Sequence, residues 1–469
     1  MNIVPFALVS ATALAVAGAA LAQDAPPAVA TSVSADPAMD PATAKAALKA
    51  REQQVKAWKA QYGDGPYPDE IDGFTQTRSE ALRPYFKALY TGGERNAVLN
   101  LSRLGLAAME VGSYTDAERA FDAALLRIES VYAKNKSAEA ARSVFHKESN
   151  KDWKGEPYER AMAYYYRGLL YLRKGDYNNA RASFKGAEYQ DTVSEDEEFQ
   201  SDFALMDYLM GWASQCAGDN GSEAYDTAIK AEKGLTAPGA ADNVLMIAEL
   251  GHGPLKEKDG KQKEKLVFRP AEGFPETGAV FVLAPATGAS THYDSHLASS
   301  VYYQATTRGG RAMDGILNGK ANWKTGTATA GNALLTAGLV QGGDAGMYMA
   351  LAGALFSLGS SAMKTDADIR QWDTLPDGVS LSTTKLAGPF TSTISYVSEN
   401  GALTLPPTPV MQATAGKCTI VWTRSRTALT GGDTPGDDAK VRAAVAKKKD
   451  VVQKDKLFRT GIVSTFLPE

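Results

Sequence analysis

Two stretches of this chain repeat one spacing of small and aromatic residues. In "YYYRGLLYLRKGDYNNARASFKGA" (164–187), Gly168, Gly175, Tyr177, Ala180, Phe184 and Ala187 fall at the same offsets as Gly105, Gly112, Tyr114, Ala117, Phe121 and Ala124 in "LSRLGLAAMEVGSYTDAERAFDAALLRIESVY". A lone amphipathic helix has no use for small residues at such intervals. Two helices that cross closely do: the small residues let the backbones approach and the aromatic fills the notch. The second glycine of each set sits where the first helix must stop, because glycine tolerates the left-handed conformation of a helix end. A third copy, "ALMDYLMGWASQCAGDNGSEAYDTAIKA" (204–231), keeps Gly211 and Gly218 in register. Its second half fits only with a one-residue insertion at "GDNGSEA", so it reads as a degenerate or closing unit. Gly112 and Gly175 are 63 residues apart and Gly175 and Gly218 are 43 apart, so the array is irregular.

The pattern resembles the tetratricopeptide repeat (TPR), a helix–turn–helix unit of about 34 residues. The resemblance implies a concave groove lined by the first helix of each pair. Carried onto this chain, the lining is Leu99, Ser102, Leu106 and Met109; then Met162, Tyr165, Leu169, Leu172 and Arg173; then Leu205, Tyr208, Trp212 and Gln215. It is apolar and aromatic with one arginine, and lacks the Lys/Asn cluster that grips a terminal carboxylate. Such a lining suits an apolar helix or strand of a partner. The competing expectation is that the helical insert or the flanking helix of this same chain fills the groove.

Upstream, "MNIVPFALVSATALAVAGAALAQ" carries an apolar run and the small-residue site Ala20-Leu21-Ala22, the form of a secretory signal peptide over 1–22, though no Lys or Arg precedes the run. No cysteine follows it, so no lipid anchor is expected there. Residues 23–40 are mainly Ala, Pro, Asp and Ser with little bulk and read as a mobile linker. Pro41–Tyr62 is rich in helix formers and stops at a glycine. The helical part is expected over 41–234.

Beyond Leu235 the pattern changes. "NVLMIAEL" (243–250), "KLVFRP" (265–270), "GAVFVLA" (278–284), "TSTISYVSENGALTL" (391–405), "KCTIVWTR" (417–424) and "TGIVSTFLP" (460–468) read as strands. Asn400-Gly401 marks a type I′ hairpin turn. Alternation in "KCTIVWTR" suggests a strand with one buried face. A Gly-rich helical insert is expected within 307–363, packed on the sheet; Gln341 to Gly346 interrupts its second segment (332–363), which argues against a transmembrane hairpin. The fold class is therefore α+β, with a TPR-like helical array and a mixed domain over 235–469.

No catalytic constellation emerges. His146, His252, His292 and His296 are the only histidines, and "HYDSH" sets His292 and His296 at i and i+4 beside Asp294 without a zinc-protease glutamate. "GILNGKAN" misses the phosphate-loop spacing, and neither a G-x-S-x-G elbow nor a C-x-x-C pair occurs. No cofactor or metal is expected. Cys216 and Cys418 are the only cysteines, and two buried free thiols are the favoured reading over one disulfide. A formal charge of −4 gives no case for nucleic acid. The lysine-rich runs 254–265 and 440–456 mix in acids and read as solvated loops, with an anionic-lipid contact, and so a weak outer-membrane association, as the alternative.

The order of segments also resembles a family of poorly characterised bacterial envelope proteins, often lipoproteins, with TPR repeats before a mixed C-terminal domain. The resemblance rests on "HKESNKDWKGEPYERAMAYYYRGLLYLRKGDYNNARASFKGA" (146–187), "GHGPLKE" (251–257) and "RQWDTLPDGVSL" (370–381). It implies location and a scaffold role more than an activity. The expectation is a non-enzymatic periplasmic scaffold holding another envelope protein through Leu106, Met109, Tyr165, Leu169, Arg173, Tyr208 and Trp212. The alternatives are a hydrolase or metal-dependent enzyme around His292, Asp294 and His296, and self-assembly through the Gly-rich helices.

Overall fold

The computed structural model describes residues 40–130, 152–191, 203–259, 265–306 and 368–467. The signal-peptide segment, nearly all of the linker, His146 and the Gly-rich insert lie outside them.

The fold is mixed α+β. Helix α1 (Pro41–Tyr62) starts where the Asp40 carboxylate accepts from the Ala42 N–H, with Pro41 in the first turn, and ends at Gly63. Helices α2 (Pro68–Thr75) and α3 (Arg83–Gly92) follow, and then three hairpins: α4 (Ala97–Glu110) with α5 (Tyr114–Glu129), α6 (Pro157–Lys174) with α7 (Tyr177–Asp191), and α8 (Ala204–Ala217) with α9 (Ser222–Ala231). Gly112, Gly175 and Gly218 stop the first helices with φ of 75°, 75° and 93°.

Close approach inside each hairpin explains the other glycines. A Cβ on Gly105 would lie 2.7 Å from the Phe121 ring, and one on Gly168 would collide with Phe184. The third hairpin differs from expectation. Helix α9 opens four residues after Gly218, where α5 and α7 open two after their glycines. Its aromatic comes one helical turn earlier: a Cβ on Gly211 would lie 2.6 Å from the ring of Tyr225. The longer turn only partly offsets the earlier ring, and Tyr225 lies seven residues after its stop glycine where Phe121 and Phe184 lie nine after theirs, which a single inserted residue does not describe.

Eleven strands are present among the described residues. β1 (Val244–Leu250) and β11 (Cys418–Arg424) pair in parallel at the centre of a five-stranded sheet. It runs β10 (Val410–Ala415), β11, β1, β7 (Gly378–Thr384) and β6 (His296–Ser300). A second sheet orders β5 (Thr291–Asp294), β4 (Gly278–Pro285), β8 (Phe390–Ser398) and β9 (Gly401–Leu403). β2 (Leu255–Asp259) and β3 (Lys265–Arg269) form a separate hairpin. A short helix, α10 (Val301–Thr306), follows β6.

β11 is buried along its whole length, not on one face only. Cys418, Ile420 and Trp422 join the large core beneath the helices, while Val421 joins a smaller core with Met246, Phe281 and Tyr396 under the second sheet. The layers are helices, five-stranded sheet and four-stranded sheet. The large core runs without a break from Phe74 to Phe466.

Three further expectations are corrected. Residues 460–465 continue helix α12 (Lys449–Thr465), because Phe458, Ile462 and Phe466 recur at helical spacing and bury against the N-terminal helices. The ring of Phe466 meets Phe86 edge-on at 5.1 Å. The described parts of the lysine-rich runs are in regular elements rather than loops, 255–259 of the first in β2 and most of the second in α11 (Ala439–Ala446) and α12. The β8–β9 turn is Glu399-Asn400, since Ser398 pairs with Gly401; the hairpin lies one residue earlier than its Asn-Gly signal. Among the described residues no helix is long and apolar enough to cross a membrane.

Candidate functional site

The residues assigned to a partner groove are brought together, but beneath this chain's own C-terminal half. Leu106, Tyr165 and Leu169 are fully buried, Met109, Tyr208 and Trp212 nearly so. Tyr208 donates to the Thr236 carbonyl at 3.3 Å and Gln215 donates to those of Gly239 and Asp242 at 3.1 Å each. Over α4, Arg103 donates to the carbonyls of Asp433 at 2.8 Å and Gly431 at 3.0 Å. Arg173 and Gln215 are half-exposed, the Arg173 guanidinium 3.6 Å from the Tyr114 ring centre. The apolar lining is therefore core, covered by described sheet and loop residues of this same chain, while the helical insert lies outside the described residues.

What joins the halves is a buried polar cluster that sequence reasoning missed. Glu249 Oε1 accepts from Trp422 Nε1 at 2.8 Å; its Oε2 accepts from the Tyr166 hydroxyl at 2.9 Å and from Arg424 Nη1 at 2.6 Å. Arg424 Nε also lies 3.1 Å from Glu110 Oε1, and Glu110 accepts from the Ala428 N–H and the Thr427 hydroxyl, both at 2.6 Å. Burial opposes the charge on Arg424, but Tyr166, Glu249 and Glu110 outweigh it and raise its pKa. A second buried pair, Glu159 of α6 and Lys256 of β2, receives the Trp372 N–H at 2.9 Å and donates to the Arg370 carbonyl at 3.1 Å. These carboxylates are already occupied and have no opening to solvent; they hold α4, α6, β1 and β11 in place. A lone acid in the apolar run "VLMIAEL" was the available signal.

Cys216 and Cys418 form a disulfide, which corrects the free-thiol reading. Its Cα atoms are 5.9 Å apart across 202 residues of sequence. The two segments that seemed to belong to separate domains meet where the C-terminal end of α8 reaches the first residue of β11.

The described histidines do not converge. His292 is exposed on β5 and His296 is exposed on β6, in different sheets, so they share no helix face. Asp294 is exposed as well. His252 packs its ring 5.0 Å from Phe274 and bonds the Thr427 carbonyl at 3.2 Å; burial, then Arg424, brings its pKa down to about 4. Among the described residues no three His, Cys, Asp or Glu side chains are grouped to hold a metal ion.

One open concavity is formed by the hairpins themselves. A trough of about 650 Å³ has α8 as floor and α7 and α9 as walls. By the 3.6-residue period, Asp207, Met210 and Ser214 share the face of α8 opposite Leu205, Tyr208, Trp212 and Cys216. The wall of α7 contributes Arg181, Lys185 and Glu188, and that of α9 contributes Glu223, Ala224 and Thr227. Asp207 is only 3% exposed, and its Oδ2 is buried without a hydrogen-bond partner. Burial first, and then the nearby Glu188, push its pKa up to about 7.

Comparison with protein-family models, with curated proteins and with solved structures finds no match to this chain.

Proposed function

We propose that this protein is a non-enzymatic scaffold of the bacterial envelope, built on TPR-like helical hairpins, that holds a segment of another polypeptide. The observation carrying this reading is the α7–α8–α9 trough: it is concave, walled by helices, and floored by a carboxylate oxygen left without a partner. The apolar face first assigned to the partner is spent on the chain's own core, so the binding surface moves to the other side of α8. Export is supported by the Ala20-Leu21-Ala22 site and by the disulfide, which an oxidising compartment forms and the cytosol does not keep.

The test is photocrosslinking in intact cells from a reactive residue at Lys185 or Ala224, with a buried control at Trp212. Adducts to one envelope polypeptide from the trough positions alone are the expected result. Crosslinks confined to this chain would overturn the reading.

A further inference from the structure

Asp207 is the only charged residue of "ALMDYLMGWASQCA", the sequence of α8. An aliphatic residue there would leave the floor uncharged; an acid with a buried, donorless oxygen costs free energy unless something supplies a donor. Its place in the first turn of α8 gives it partial compensation from the helix end. Around it, α7 brings Arg181, Lys185 and Glu188, and α9 brings Glu223. Arg181 leans 3.4 Å toward Asp219 at the α8–α9 turn. β6, packed against the start of α8 through Ser299, has only the exposed His296 as a titratable group. Three acids thus line the trough, and the described residues hold no metal cluster.

We propose that the trough receives a cationic side chain, lysine or arginine, from a partner polypeptide, with Asp207 as its counter-charge. This rests on the scaffold reading above. A long apolar stem ending in a charge fits a trough whose floor combines Met210 with a carboxylate, as such side chains bury their methylenes and place the head at a polar group. Lys185 and Arg181 on the rim then face whatever acids flank the inserted residue.

Occupation changes the titration of the floor. Empty, Asp207 is half protonated near pH 7; a bound cation holds it ionised, so binding below pH 7 must expel a proton. Affinity therefore falls with acidification, by about tenfold between pH 8 and pH 6.

The experiment uses the full mature chain with 13C-methyl methionine, following the Met210 methyl signal while n-butylammonium, n-butylguanidinium or uncharged n-butanol is added. Saturable shifts with one or both cations, none with n-butanol, about tenfold weaker binding at pH 6 than at pH 8, and loss of the shifts in Asp207→Asn are expected. The other methionine methyl signals report that the variant is folded. No shift with either cation, an equal response to n-butanol, or an unchanged response in Asp207→Asn overturns the proposal. The cellular crosslinks separate the two readings. Adducts from Ala224 that persist undiminished in Asp207→Asn leave the scaffold standing and remove the cationic anchor. Cation binding without any adduct would instead make the trough a site for free amines and overturn both the scaffold and the polypeptide ligand.

Discussion

At Gly168 the missing side chain matters more than most that are present. The Phe184 ring occupies the space a Cβ would need, and helix α6 cannot withdraw without opening the core under Tyr165 and Tyr166. Gly168→Ala is expected to cost about 1–3 kcal/mol by overpacking, outweighing the gain of up to ~1 kcal/mol from better helix propensity. A lowered urea midpoint would check it. Asp207 works in the opposite direction. Its pKa lies near 7 in the fold and about 4 in an unfolded chain, so the native state holds the extra proton between those values. The sign follows: its penalty is absent below about pH 4 and grows as pH rises to 7. Asp207→Asn should be the more stable protein at pH 8, by about 2–4 kcal/mol, with the advantage shrinking toward pH 4; thermal melts at both pH values read this. A residue that costs stability at the floor of an open trough fits a binding role better than a packing one.

Among the elements, the helical hairpins were legible and several partners of the sheet were not. Gly105, Gly112 and Phe121 prescribe a crossing through short-range spacing alone, and α1 runs over the Pro41–Tyr62 span its capping residues mark. Residues 460–465 were misread because β-branched residues in "TGIVSTF" mimic a strand when the preceding turns of α12 are left out of the window. The burial of "KCTIVWTR" on both faces was hidden because its threonines look solvent-facing, whereas Thr423 bonds the Tyr396 hydroxyl at 3.1 Å inside the second core. The trough was invisible for a related reason. Its floor is the face of α8 left over once the other face is buried, and sequence periodicity does not say which side a sheet will cover. The buried cluster gives the sharpest prediction at this scale. Arg424→Met leaves Glu249 and Glu110 without their cation and should destabilise by about 3–5 kcal/mol, measured by chemical denaturation.

For the molecule as a whole, the order of segments conceals how the chain closes. α12, at the far end of the sequence, packs against the N-terminal helices: the Phe466 carbonyl accepts from Arg78 at 2.7 Å, and Asp455 accepts from the Glu94 N–H at 2.9 Å. The helices and the five-stranded sheet share the large core, so their loss is expected to coincide when followed by fluorescence and by circular dichroism. The disulfide closes a long loop within that core. Reducing it, or making Cys216→Ser with Cys418→Ser, should lower stability by up to about 5 kcal/mol in the chain-entropy account, seen as a matching drop in denaturant midpoint.

Cys216 also stands on the floor helix of the trough, and Cys418 begins a central strand of the five-stranded sheet. A partner pulled while seated on α8 would load that helix, and the S–S bond would carry the tension straight into the β11–β1 pair. The pull would reach the sheet through a covalent tether, so α8 could not be peeled away by force until that bond was cut.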